Sequence, residues 1–207
     1  MNTHMTVKMA KKVSKFLKNN EVHDVNLMGG EIFCNPYWKK ILDLIVPSVE
    51  MVRIVSNGDW VTGCPDFAKY LTKFDNCYVS ISKDQWHNNK NTDKAIGVLK
   101  ENNILFNTPK KEDEEFNLVP IGRSQFGFGL FSMFGCYCHN PEKMYSFLID
   151  EVGEIFKCGF GVWNYASVDE YEDGGFPERF KEVNKKFYDV FIPSCSSCIN
   201  SYEHQSK

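Results

Sequence analysis

The chain has 207 residues, 43% of them apolar and 25% charged, with a net charge of −3. That length buries a real core and accommodates one domain with an appendage, in the composition of a soluble globular protein. The slightly acidic total argues against general nucleic-acid affinity. The longest apolar run, "ILDLIV" (41–46), is broken by Asp43 and is far too short to span a bilayer, and the N-terminus shows no signal-peptide pattern. No nucleic-acid or membrane partner is expected, and the expected location is cytoplasmic.

Met9, Ala10, Val13, Phe16 and Leu17 fall at helical spacing and predict an amphipathic helix over about 5–19, with the lysines of "KKVSKFLK" (11–18) on its wet face. "DVNLM" (24–28) reads as a short strand. Asn35 and Pro36 then have the chemistry of a helix N-cap and first turn, with Tyr37, Trp38, Ile41, Leu42 and Ile45 on the inward face. "MVRIVSNG" (51–58) is β-branched and closes on Asn57-Gly58, a strand with its stop signal. A helix after Cys64-Pro65 turns Phe67, Tyr70, Leu71 and Phe74 inward. "CYVSIS" (77–82) is a third strand, a helix covers roughly 91–101, and "ILF" (104–106) begins a fourth strand.

Strand starts at 24, 51, 77 and 104 lie 27, 26 and 27 residues apart, the period of a βα repeat. Right-handed crossovers then give parallel strands, and ligand-binding residues belong at the strand C-termini. That rim carries Gly29, Gly30 and Glu31, then Ser56, Asn57 and Gly58, then Ser80, Ser82, Asp84 and His87. It is small and polar, which suits a ligand with an amino-acid part and a ribose. In "VNLMGGEIFCNP" (25–36) the paired glycines allow close backbone approach, and Glu31 offers a carboxylate that an ammonium group could meet. A tight strand-to-helix turn accounts for the same glycines. A packing or capping role accounts for His87, and core packing for Trp86 and Trp163.

The period fails after "KKEDEE" (110–115), and "VPIG" (119–122) reads as one last strand. From about residue 125 the composition shifts to Gly, Phe and Cys, which places a boundary between domains 1–125 and 126–207. Eight cysteines without a secretion pattern read as thiols or metal ligands rather than disulfides. Cys34, Cys64 and Cys77 are scattered, as small buried hydrophobes often are. Cys136, Cys138, Cys158, Cys195 and Cys198 crowd the last third. A CxxC (195–198) with two further cysteines suits tetrahedral zinc or an iron–sulfur cluster on ligand grounds.

The ordered series of helix, strand, "GGE" (29–31), strand, "SNG" (56–58) and "VSISKDQWH" (79–87) resembles radical S-adenosylmethionine (radical SAM) enzymes over residues 5–124. The resemblance implies an α/β fold, a partial (βα) barrel of parallel strands with a small cysteine-rich C-terminal extension. It implies that Gly29, Gly30 and Glu31 hold the cofactor's amino group, with Ser56, Asn57, Ser80 and Ser82 on its carboxylate and ribose. The spacing Cys138, Gly153, Cys158 with the later "CSSC" is similar to the opening of the SPASM-type extension, whose cysteines ligate auxiliary iron–sulfur clusters of the 4Fe–4S kind. One such site is implied, drawn from Cys136 or Cys138 with Cys158, Cys195 and Cys198, with zinc as the alternative.

Two departures stand out. Ile32 replaces the family's proline after GGE, and the CxxxCxxC loop that holds the radical-generating cluster is absent from the 207 residues. The chain as written is therefore expected to be incomplete and, alone, not to cleave S-adenosylmethionine. Two functions follow: a peptide- or protein-modifying radical enzyme, or a non-catalytic metal-binding half-barrel acting as a binding partner or regulator. The open sheet edge beside "DVNLM" invites a partner or self-association.

Overall fold

The computed structural model describes residues 4–28, 31–83, 89–108, 147–156 and 164–186. The chain divides into two compact units, Met1–Glu112 and Asp113–Lys207. The boundary expected near 125 and the strand expected at 119–122 lie outside the described residues.

In the first unit, α1 (Val7–Asn19) starts where the Thr6 hydroxyl accepts a hydrogen bond from the Met9 amide at 3.1 Å. It buries Ala10, Val13, Phe16 and Leu17. Its end is sealed by the Asn20 side chain, which donates to the Phe16 carbonyl at 2.9 Å. β1 (Asp24–Leu27), β2 (Met51–Ser56), β3 (Cys77–Ile81) and β4 (Phe106–Asn107) form one parallel sheet in that order. Between them run α2 (Trp38–Ile45), the short α3 (Trp60–Gly63) and α4 (Phe67–Leu71), and α5 (Asn89–Glu101). The mixed α/β architecture with parallel strands matches the 27-residue period.

Packing follows the pleat. Val52, Ile54, Cys77, Val79 and Ile81 point to one face and meet Trp38, Leu42, Trp60, Phe67, Leu71, Ala95 and Leu99 from the helices. Phe67 sits at the centre, 4.0 Å from Phe33 and 4.8 Å from Trp60 between ring centroids. Aromatic pairs of this kind add about 0.5–1.5 kcal/mol each beyond the area they bury.

Several local expectations shift. α2 begins at Trp38 rather than just after Asn35, because the Asn35 carboxamide oxygen accepts from the Tyr37 amide at 2.9 Å and holds a turn there. A short 3-10 turn, Ile32–Cys34, precedes it. Tyr37, expected inward, is exposed as a result, while Trp38, Ile41, Leu42 and Ile45 are buried. α3 was not expected, since four residues are too few to show a period, yet it delivers the fully buried Trp60. Of the scattered cysteines, Cys77 is buried, Cys64 half-buried and Cys34 exposed. Trp86 and Trp163 lie outside the described residues.

In the second unit, β5 (Leu148–Ile149), β6 (Glu154–Phe156) and β7 (Asn164–Ser167) form an antiparallel sheet, followed by a 3-10 turn at Val168–Glu170 and by α6 (Phe176–Lys186). The β5–β6 turn is held by the Asp150 carboxylate, which accepts from the amides of Val152 and Glu154. Gly153 takes φ +91° there, a left-handed conformation that favours glycine, so the glycine of the Cys138–Gly153–Cys158 spacing is a hairpin residue. Phe147 stands edge-on to Phe176 and Phe180 of α6, at 4.9 and 5.7 Å.

Candidate functional site

The C-terminal ends of β1 and β2 meet at one carboxylate. Glu31 Oε2 accepts a hydrogen bond from the Ser56 hydroxyl at 3.0 Å and another from the Asn57 amide at 3.2 Å. Ser56 Oγ in turn accepts from the Gly58 amide at 3.0 Å, so the serine is fixed from both sides. The other carboxylate oxygen, Glu31 Oε1, is buried and meets no donor among the described residues.

The electrostatics follow from that asymmetry. Burial pushes the Glu31 carboxyl above the usual carboxylate range. The hydrogen bonds from Ser56 and Asn57 and the nearby Phe33 amide pull it down, and the charge of Asp59 pushes it up again. Burial wins. The corner is thus a carboxylate with one anchored oxygen and one open acceptor, an environment that a bound cation would relieve.

The neighbouring loop is built from its own side chains. Asn57 Oδ1 accepts from the Asp59 amide at 2.9 Å, and Asn57 Nδ2 donates to Asp59 Oδ2 at 3.0 Å. Asn91 Nδ2 of α5 donates to the other Asp59 oxygen at 2.8 Å, and the Thr92 hydroxyl donates to the Asn57 carbonyl at 3.1 Å. Gly58 lies beneath α5 with φ +86°. A Cβ there would stand 3.0 Å from the Thr92 Cα and 3.1 Å from the Ala95 Cβ. Asp59, Asn91 and Thr92 were missed by sequence reasoning. Only the Asn-Gly-Asp triplet signals the turn, and nothing local shows that α5 closes it.

The residues singled out from the sequence therefore separate into groups. Glu31, Ser56 and Asn57 come together, though the Asn57 side chain is occupied within its loop. The Ser82 amide donates to the Ser56 carbonyl at 2.8 Å and so joins the same rim. Ser80 is buried but pairs with Val55, which puts it on the sheet face opposite Ser56. Gly29, Gly30, Asp84, His87 and the five cysteines Cys136, Cys138, Cys158, Cys195 and Cys198 lie outside the described residues. Among the described residues no group of three His, Cys, Asp or Glu could hold a metal ion, and no helix is long and apolar enough to cross a membrane.

No family model matches the chain. Over 79 residues it is 27% identical to YydG of Bacillus subtilis (strain 168), a protein provisionally named for peptide biosynthesis. The alignment takes in 36% of this chain and 25% of YydG, so the chain spans about a quarter of that relative's length.

Proposed function

We propose that this chain carries the S-adenosylmethionine-binding part of a radical enzyme that modifies a peptide. The observation that carries the reading is the open, buried Oε1 of Glu31 beside Ser56 at the strand rim, in the GGE corner that resembles radical SAM enzymes. An ammonium group fits it, because an ammonium brings donors and a charge of the sign the buried carboxylate lacks. The partial similarity to a protein named for peptide biosynthesis supports a peptide as the substrate class.

The partial-barrel reading rests on strand order. β1 to β4 run in sequence order without the reversal that marks doubly wound sheets, and the buried side chains of α2 to α5 gather on one face. In this reading Glu31 orients the amino group, Ser56 and the Asn57 amide keep the carboxylate pointed, and the Asp59–Asn91 closure holds the loop. S-adenosylmethionine, when bound, supplies hydrogen-abstraction chemistry on reduction by an iron–sulfur cluster. The cysteines Cys136, Cys138, Cys158, Cys195 and Cys198 are proposed to hold one auxiliary centre, iron–sulfur or zinc. A CxxC with two further cysteines suits tetrahedral zinc as well as an iron–sulfur cluster, which supports a second reading, a non-catalytic metal-binding half-barrel that acts as a partner or regulator.

Calorimetry tests the corner. S-adenosylmethionine is expected to bind the chain and to bind Glu31→Gln about tenfold more weakly, since a charge-assisted hydrogen bond is lost. Equal affinity in the two forms would reduce the corner to a turn. For the tail, metal analysis of reduced protein should find one centre that Cys195→Ser with Cys198→Ser removes. Iron favours the enzyme, zinc alone favours the second reading, and neither metal refutes the site.

A further inference from the structure

The sheet of the first unit has a second face, turned away from the aromatic core, and strand register sets three polar residues in one row across it. Asn26 of β1 pairs with Arg53 of β2, which pairs with Tyr78 of β3. Neighbouring strands lie about 4.8 Å apart, so the row spans about 10 Å. The residues on either side of Arg53, Val52 and Ile54, belong to the core, so the pleat sends Arg53 the other way.

The row is polar, with Asn26 exposed and Arg53 and Tyr78 half-buried. The buried Arg53 Nε has no hydrogen-bond partner among the described residues. Among the described residues Arg53 forms no ion pair, although Asp24 lies on the same sheet face, and the side chains of Asn26 and Tyr78 form no hydrogen bond. A guanidinium keeps its charge at any working pH, and burying one of its N–H groups without an acceptor is unfavourable. What would relieve it is a planar anion, which the guanidinium fork meets with two parallel hydrogen bonds while a phenol and a carboxamide add further donors.

We infer that Asn26, Arg53 and Tyr78 form a carboxylate-binding row for the peptide substrate. The inference rests on the proposed function, which makes a peptide the substrate and this face the interior of the partial barrel. The cofactor's own carboxylate is the wrong anion for the row. The ammonium and carboxylate of an α-amino acid lie about 3 Å apart. Arg53 sits three residues before Ser56, about 10 Å down the strand at 3.3 Å per residue, and on the opposite side of the pleat. The arm of Arg53 shortens that separation without bringing it to the Ser56 side.

The test uses the full chain, isotope-labelled, and reads the Nε–Hε resonance of Arg53, assigned by its loss in Arg53→Gln. Three peptides are titrated separately without cofactor: acetyl-Gly-Asp-Gly-amide, acetyl-triglycine as the free acid, and the neutral acetyl-Gly-Asn-Gly-amide. At least one carboxylate peptide is expected to shift the resonance saturably, and which one does so distinguishes a side-chain from a C-terminal carboxylate. Peptide affinity, followed on backbone amides of β2 and β3, should fall about tenfold in Arg53→Gln and about threefold in Tyr78→Phe. No shift with either carboxylate peptide, or an equal shift with the neutral peptide or with sodium chloride, would overturn the proposal. So would a full shift with S-adenosylmethionine alone that abolishes peptide binding, since the row would then serve the cofactor. If Arg53→Gln does not fold, Tyr78→Phe and Asn26→Ala decide on the same amides. The comparison of wild type with Glu31→Gln does not involve this row, so failure of the cofactor reading and failure of the row are separately visible.

Discussion

Glu31→Gln should stabilise the ligand-free protein at neutral pH while weakening its cofactor site. Wild-type Glu31 is half-buried, with Oε2 satisfied by Ser56 and Asn57 and Oε1 satisfied by nothing described. Glutamine keeps one carbonyl oxygen for the two donors and removes the charge. Its amide nitrogen is no better partnered than Oε1, so the gain comes from the charge alone. Burying a charged group costs more than burying a neutral one with the same missing partner, and residual exposure holds that difference to about 1 kcal/mol. For a cooperative unit of this size that is about 3–5 °C in Tm.

The pH dependence gives the sign. Because burial raises the Glu31 pKa above its ordinary value of 4.5, the folded state binds the proton more tightly than the unfolded state. Wild-type stability from this group is therefore highest below 4.5, falls as pH rises through the interval up to the folded pKa, and stays reduced above it. Thermal melts of both forms at about pH 4 and pH 7 should show the difference at the higher pH alone. Saturating S-adenosylmethionine should reverse the order, because only the charged form gains the full binding free energy. A ligand-free variant that melts below wild type at neutral pH, or a difference independent of pH, would refute the reasoning.

Gly58→Ala should destabilise the first unit by about 1–2 kcal/mol in denaturant titration, because φ +86° strains an L residue and the new Cβ meets the backbone of Thr92 at 3.0 Å. Thiol mapping by mass spectrometry should find the exposed Cys34 alkylated in native protein. Cys77, whose thiol burial pushes up to about 12, should react only on unfolding. His23, which Glu50 holds by a hydrogen bond at 2.9 Å and by its charge, should titrate above 6.5 in an NMR series, and Glu50→Gln should bring it back down. Any stabilisation from that pair is present below 6.5 and lost as pH rises through the folded value.

The parallel repeat is legible in the chain's local pattern. Apolar periods of 3.6 and 2 alternate over 27 residues, and such a pattern buries its faces only by laying helices across a parallel sheet. It also located the Glu31 corner, because paired glycines before a carboxylate at the end of a strand are a local signal. Local signals fail where partners are distant in sequence. That Ser56 rather than Ser80 meets Glu31 depends on the pleat, which sends alternate residues to opposite faces and becomes visible only when Val55 is seen to pair with Ser80. Asp59 is closed by Asn91, thirty-two residues away, and Trp60 enters the core from a helix too short to show a period. Arg53 reads in the sequence as one polar residue within "MVRIVS"; only strand register sets it between Asn26 and Tyr78, and only burial leaves its Nε without an acceptor among the described residues. Composition and period choose the architecture because each residue contributes to them locally. The site depends on which residues the folded sheet brings side by side, and that is settled by tertiary packing.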